Sequence, residues 1–297
     1  MAKASGTTTG NGAGADLRAT ARQILADAGA ALEDGERTGA TSVHDFRKSM
    51  KRWRALLRLL GPKLGANGKK LNAEARDFAR RLGRPRDAQA ALDALDDLQK
   101  HKPEIPDATQ RSIRTRLNDL RAHAEVAALN DELRREIQNY LDRAARAVNR
   151  WPAGFDGTET SKRLTSAYRR ARRAMPEKWH LADEEELHEL RRRVIAYRHQ
   201  ADLAARLQPK LPDLHVNEAQ DLRERLGRFQ DLSVLSKLTA PQQPLAAWRS
   251  RLAPSIARRQ ATHIKSAARI ARRLFADRPK AFRVRLPVTA KSPKASA

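Results

Sequence analysis

The chain has 297 residues, enough for one large domain or two of ordinary size. Its 60 Lys and Arg against 35 Asp and Glu give a formal net charge of +25, which implies a polyanionic partner: nucleic acid, an acidic membrane or another phosphate polymer. The absence of cysteine excludes disulfides and thiolate metal sites, and no stretch approaches the roughly 18 consecutive apolar residues of a membrane span.

Few aromatics and many Ala, Leu and Arg residues favour helix, so the expected fold class is all-α. Residues 1–15 are mostly Gly, Thr, Ala and Ser and read as a disordered tail; they lack the apolar run of a signal peptide, which makes the cytoplasm the expected compartment. Apolar periodicity predicts helices over 16–38, 41–61, 69–102 with a break near Gly83 and Pro85, and 107–149. A linker at 151–158, inside "WPAGFDGTET", separates this first half (16–150) from a second (159–278). Helices are expected there over 159–175, 183–208, 215–239 with a break near Gly227, and 244–276. A basic tail, 279–297, follows.

The two halves repeat one another. "VHDFRKSMKRWR" from position 43 aligns with "LHELRRRVIAYR" from 187, pairing His44 with His188, Asp45 with Glu189, Arg47 with Arg191, Trp53 with Tyr197 and Arg54 with Arg198. "LGRPRD" at 82–87 aligns with "LGRFQD" at 226–231, and both pairs of segments lie 144 residues apart. A shared offset of this kind predicts two homologous four-helix units meeting about a pseudo-twofold axis.

At about 100° per residue, Phe46, Met50, Trp53, Leu57 and Leu60 form the core side of the 41–61 helix. Opposite them stand His44, Arg47, Lys48, Lys51, Arg54 and Arg58, with no acid among them. Like charges at i,i+4 spacing destabilise a helix, so a solvated face normally carries Glu or Asp as well. Two further helices behave alike. From Thr160 to Pro176 there is no acid, and Lys162, Arg169, Arg172 and Arg173 oppose Leu164, Ala171 and Met175. Between Asp231 and Asp277 there is again none, and Arg251, Arg258, Lys265, Arg269 and Arg272 line up opposite Leu252, Ile256, Ile264, Ala267 and Leu274. Such self-repulsion is tolerated where a bound anion relieves it.

A helix reading V-H-D-x-R-K-x-x-K-R-x-R, followed by L-G-x-x-R-D, with both recurring in weaker form, resembles the CHAD family, the conserved histidine α-helical domain. The resemblance covers about Asp16 to Arg278. It implies two packed antiparallel four-helix bundles related by pseudo-twofold symmetry, with a basic groove or channel between them, and binding of inorganic polyphosphate, often at polyphosphate granules. The family's positions fall on His44, Arg47, Lys51, Arg52, Arg54 and Arg58, and on His188, Arg191 and Arg198. With Lys48, Arg192, Arg169, Arg172, Arg173, Arg258, Lys265, Arg269 and Arg272 these are the candidate polyphosphate contacts. The second half departs from the pattern: Ile195 and Ala196 replace Lys51 and Arg52, Asp202 replaces Arg58, and Gln230 replaces Arg86. Asp87 and Asp231 read as helix caps or partners of arginine, since a carboxylate repels phosphate.

Chemistry leads the same way. Polyphosphate offers oxygens and no bases, so arginine forks and lysine point charges suffice. Single-stranded nucleic-acid sites add aromatic platforms, and the cationic stripes have none, Trp53 and Tyr197 being expected in the core. His180, Glu184 and His188 have metal-ligand spacing, but Asp183 reads as the N-cap of its helix, which leaves His180 outside. A protonated, phosphate-binding role is the expectation for His44 and His188. No phosphate-binding G-x-x-x-x-G-K-S/T loop is present and acids lie away from the stripes, so a binding protein without cofactor or metal is expected rather than an enzyme. A nucleic-acid-binding or granule-coating architectural protein, or an accessory domain of phosphate-polymer metabolism, remains the alternative.

Overall fold

A computed structural model describes residues 12–33, 39–82, 86–101, 105–126, 131–151, 157–207 and 213–286. All regular structure among them is helical. In the first half run α1 (Gly12–Glu33), α2 (Gly39–Leu60), α3 (Gly65–Arg81), α4 (Arg86–Gln99), α5 (Asp107–Val126) and α6 (Asp131–Asn149). The second half holds α7 (Gly157–Arg173), α8 (Glu184–Leu207), α9 (Val216–Leu238), α10 (Arg249–Leu274) and α11 (Pro279–Arg285). The expected 107–149 helix is thus two, α5 and α6. At the start of α8, Asp183 acts as the expected cap: its Oδ1 accepts from the Glu186 amide at 2.8 Å while Glu186 accepts from the Asp183 amide at 3.1 Å, a reciprocal box.

Two expectations need correction. Helix α9 passes through Gly227 without a break. In the first half Pro85 lies between α3 and α4, where a proline can neither donate its amide nor tolerate the preceding turn; the corresponding residue in α9 is Phe229, whose amide continues the helix and whose side chain is buried. The stretch read as a basic tail opens with α11, whose Phe282 is buried and stacks on Tyr168 at 4.1 Å between centroids. Likewise α1 begins at Gly12, inside the predicted N-terminal tail. Residues 1–11 and 287–297, the remainder of both tails, lie outside the described residues, as do Gly83 and Pro85.

Shifted by 144 residues, α1, α2, α5 and α6 fall on α7, α8, α10 and α11, and α3 with α4 falls on α9. The packing follows this correspondence. α1 packs on α2 as α7 does on α8, α4 on α5 as α9 on α10, and α1 on α6 as α7 on α11; the α2–α8 and α4–α9 contacts map onto themselves. Two apolar clusters result. The larger joins α1, α2, α3, α6, α7 and α8 with the first part of α9 and the end of α10. The smaller joins α4 and α5 with the last part of α9 and the start of α10, so each cluster draws on both halves of the sequence.

A buried ionic cluster ties the halves together at the smaller core. Asp97 of α4, 6% exposed, accepts two bonds from Arg259 of α10, at 2.7 and 2.8 Å, and its Oδ2 lies 2.8 Å from Nε2 of His263, which is 0% exposed. Burial opposes ionisation of this carboxyl, but the bonds from Arg259 and His263 outweigh it and hold its pKa below the usual carboxylate range. Replacing Asp97 with Ala leaves the Arg259 charge buried without its partner, and we expect a loss of about 3–5 kcal/mol in urea unfolding. Because the folded pKa is depressed, this stabilisation is present above roughly pH 4 and fades as pH falls below it, so the difference between Asp97→Ala and the parent should shrink on acidification.

Candidate polyanion-binding groove

The rotation of α2 about its axis is set by its buried side. Phe46, Met50, Trp53, Leu57 and Leu60 are all buried, and Trp53 donates its indole N–H to the Tyr140 hydroxyl at 2.7 Å, which in turn donates to the Leu71 carbonyl at 2.9 Å. Trp151, from the predicted linker, stacks on the other side at 5.6 Å. Tyr197 fixes α8 in the same manner, donating to the Leu214 carbonyl at 2.7 Å. With both helices so anchored, their polar sides face one another across a cavity of about 700 Å³.

Lys51, Arg54 and Arg58 of α2 line this cavity with Arg192 and Arg193 of α8; Arg76 of α3 and Arg170 of α7 complete its rims. The one carboxylate in the lining, Glu189, is bonded to Arg192 and Arg193 on its own helix. Seven cations therefore share a half-enclosed space with one acid. The strain registers in their acidities. Arg54 is lowered to about 10, first by burial and then by Arg58 and Arg76. Burial also lowers Arg58, with Arg170, Arg193 and Arg76 adding to the effect, and lowers Arg170, with Arg193 next. Every arginine remains charged at neutral pH, so the repulsion persists until an anion enters.

His199, 7% exposed, also lines the cavity, next to the buried Gln200. Burial, then Arg198 and Lys51, push its pKa down to about 3, so the ring is neutral and can accept the Arg198 guanidinium at 3.2 Å. In the first half Ala55 stands in its place.

Of the residues expected from sequence, Lys51, Arg54, Arg58 and Arg192 meet in the groove. Others serve the framework. Arg47 donates to the Leu82 carbonyl at the end of α3, 2.7 Å away. Its counterpart Arg191 donates to Gln230 at 2.6 Å, and Gln230 bonds His188, so the Gln that replaces Arg86 clamps both repeat residues. Arg191 also crosses Gly227 so closely that a Cβ there would lie 3.1 Å from its Nη2, and any larger residue would make the guanidinium shift. Arg52 turns to α1 and pairs with Asp27 at 3.1 Å, Arg198 lies beside His199, and Arg172 donates to the Phe275 carbonyl at 3.0 Å. His44, Lys48 and Arg169 are exposed, while Arg173 borders an adjoining cavity of about 900 Å³. Arg258, Lys265, Arg269 and Arg272 are exposed on α10, which packs against α9 and α4 and contributes nothing to the groove.

Sequence reasoning missed Arg76, Arg170 and Arg193. Arg170 sits about 100° round α7 from Arg169, between the cationic stripe and the core, and Arg193 reads as half of an ordinary i,i+4 pair with Glu189. Arg76 carried no signal, being one of several cations interspersed with Glu74 and Asp77 on a mixed helix.

A family model for the CHAD domain matches residues 15–240. The chain belongs to the CHAD family. Its fold is shared by PptA from Streptomyces chartreusis, at 15% identity and a TM-score of 0.64 over 89% of this chain and 99% of that one. The CHAD domain from the plant Ricinus communis is similar at 16% identity and a TM-score of 0.54, over 94% of this chain and 92% of that one. Among curated proteins no sequence matches. In this CHAD domain the groove lies between α2 and α8, the two helices that carry the repeated sequence motif; they supply five of its seven cations, and Arg76 of α3 and Arg170 of α7 supply the other two.

His199 gives this CHAD domain a distinct acid response. Its folded pKa lies below the unfolded value near 6.5, so the unfolded chain binds the extra proton, and stability falls as pH drops from about 6.5 towards 3 and is fully retained above that window. His199→Ala, which installs the first half's residue, should lose less of its denaturation midpoint than the parent between pH 6.5 and 4. Parallel pH profiles would exclude a buried neutral imidazole.

Proposed function

We propose that this protein binds inorganic polyphosphate in the α2–α8 groove. The observation that carries the reading is a lining of seven cations, one internally paired carboxylate and no Phe, Tyr or Trp ring. Guanidinium and ammonium groups recognise phosphate oxygens irrespective of what the phosphates are attached to, and a chain of bare phosphates supplies about one charge per unit without asking for a stacking platform. Single-stranded nucleic acid gains roughly 1–3 kcal/mol per base from aromatic stacking, a gain this groove does not offer. Binding rather than catalysis is the role assigned: phosphoryl transfer normally employs Mg²⁺ held by carboxylates, and Glu189 is occupied by two arginines. Association with polyphosphate granules would follow from the affinity itself.

Replacing Lys51, Arg54 and Arg170 with Ala should weaken polyphosphate binding at least about tenfold more than replacing Lys3, Lys291 and Lys294, although each set removes three charges. Charge-assisted bonds in a half-enclosed groove contribute about 1.5–3 kcal/mol each, whereas terminal charges are screened over about 10 Å at 0.1 M salt. For six to ten neutralised phosphates, affinity should fall by about 10³–10⁵ between 50 and 200 mM salt and be indifferent to EDTA. Equal losses from the two sets, in titrations at fixed salt, would mean that total charge and not the groove holds the anion.

A further inference from the structure

Several exposed cations on other helices come with acids. Arg80 pairs with Asp77 and Arg81 with Glu136 on or beside α3, Arg143 of α6 with Glu74, and Arg206 of α8 with Asp202. Helix α10 carries a row of exposed cations in which Lys265, Arg269 and Arg272 have no such acid among the described residues. It buries Leu252, Ile256, Ala267, Ala271 and Leu274, sends Arg259 inward to Asp97, and bonds Gln260 to Ser233. On its outer side Arg258, Lys265, Arg269 and Arg272 are all exposed. At 100° per residue they lie within about 60° of one line, and they span about 21 Å of helix. The residues exposed between them, Ala261 and Thr262, are small, so the long basic side chains reach past them. Among the described residues no carboxylate pairs with Lys265, Arg269 or Arg272.

This strip is not an extension of the groove. α9 lies between α10 and α8, and no residue of α10 reaches the α2–α8 cavity. We propose that the outer face of α10 is a second polyphosphate-binding surface, so that one molecule holds two segments of polymer, one in the groove and one along α10, and bridges them. The inference rests on the groove reading for its choice of ligand. The strip's own chemistry agrees with that choice: it carries no aromatic ring to stack a base and no Asn or Gln to read a base edge. Nor does it suit a lipid surface, since the exposed large hydrophobic residues, Leu181 and Val284, lie outside α10. A bridging protein of this kind condenses the polymer as well as binding it.

The test uses the full chain with short polyphosphate of defined length, and long polyphosphate labelled in separate batches with donor and acceptor dyes. Titration of the parent protein with the short chain should reach two chains per molecule, and addition of the parent to mixed long chains should produce energy transfer between them. Lys265→Ala, Arg269→Ala and Arg272→Ala together should reduce the stoichiometry to one and abolish the transfer, while the remaining groove affinity stays within about twofold of the parent because the sites are remote. A parent stoichiometry of one, or undiminished transfer by the α10 variant, would overturn the proposal without touching the groove. Insensitivity of the tighter binding phase to the Lys51, Arg54 and Arg170 substitutions would instead overturn the groove reading. Displacement of only the second chain by duplex DNA at equal phosphate concentration would assign α10 to nucleic acid and likewise overturn it.

Discussion

Repulsion among Arg54, Arg58, Arg76, Arg170 and Arg193 is the constraint to which the rest of this structure answers. These side chains come from four helices, and each is brought near the others in a half-enclosed space. Left to itself, such an arrangement would splay open. Burial of Trp53 and Tyr197, each tied by a hydroxyl or indole bond to a backbone or side-chain partner, fixes the facing helices at their far sides. The Asp97 cluster then pins α4 to α10, and the repulsion becomes stored interaction energy available to an incoming anion.

Arginine in this protein does two kinds of work, and the difference lies in what each guanidinium can reach. Arg47, Arg172 and Arg134 donate to carbonyls at helix ends or just beyond them, groups that a helix leaves without an internal partner. Arg52 and Arg259 answer acids on neighbouring helices. The groove arginines lack such partners in proportion to their number, and unlike the exposed cations of α10 they do so inside a half-enclosed cavity.

Much of this could be read in the sequence. The period of the apolar residues located nearly every helix, the common offset of 144 residues revealed the repeat, and the acid-free face of α2 marked the groove. Legibility ended where position depends on contacts distant in the chain. That Arg47 belongs to Leu82, or Arg191 to Gln230, follows from the crossing of helices and not from either helix alone. Arg76 enters the site only because α3 packs on α2. Gly227 suggested a turn because glycine permits one; in the structure a guanidinium is laid across it. The face of α10 was read correctly as a cationic stripe, but amphipathic pattern says which way a side chain points relative to its own helix and nothing about which other stripe it joins.

The repeat is symmetrical in its contacts and unsymmetrical in its charge. In register with Lys51, Arg58 and Arg76 stand Ile195, Asp202 and Gln220, and where α7 supplies Arg170, α1 has Ala26. On that quieter flank Arg52 answers Asp27, Arg206 answers Asp202 and Arg223 lies beside Glu224. If molecules carrying a net charge of +25 bind along one polymer as proposed, they crowd against their neighbours, and that crowding grows costlier as their spacing closes. A flank with its charges already matched can be approached to within a Debye length at little cost. The packing density of such an array would then be governed by the flank whose charges are already matched.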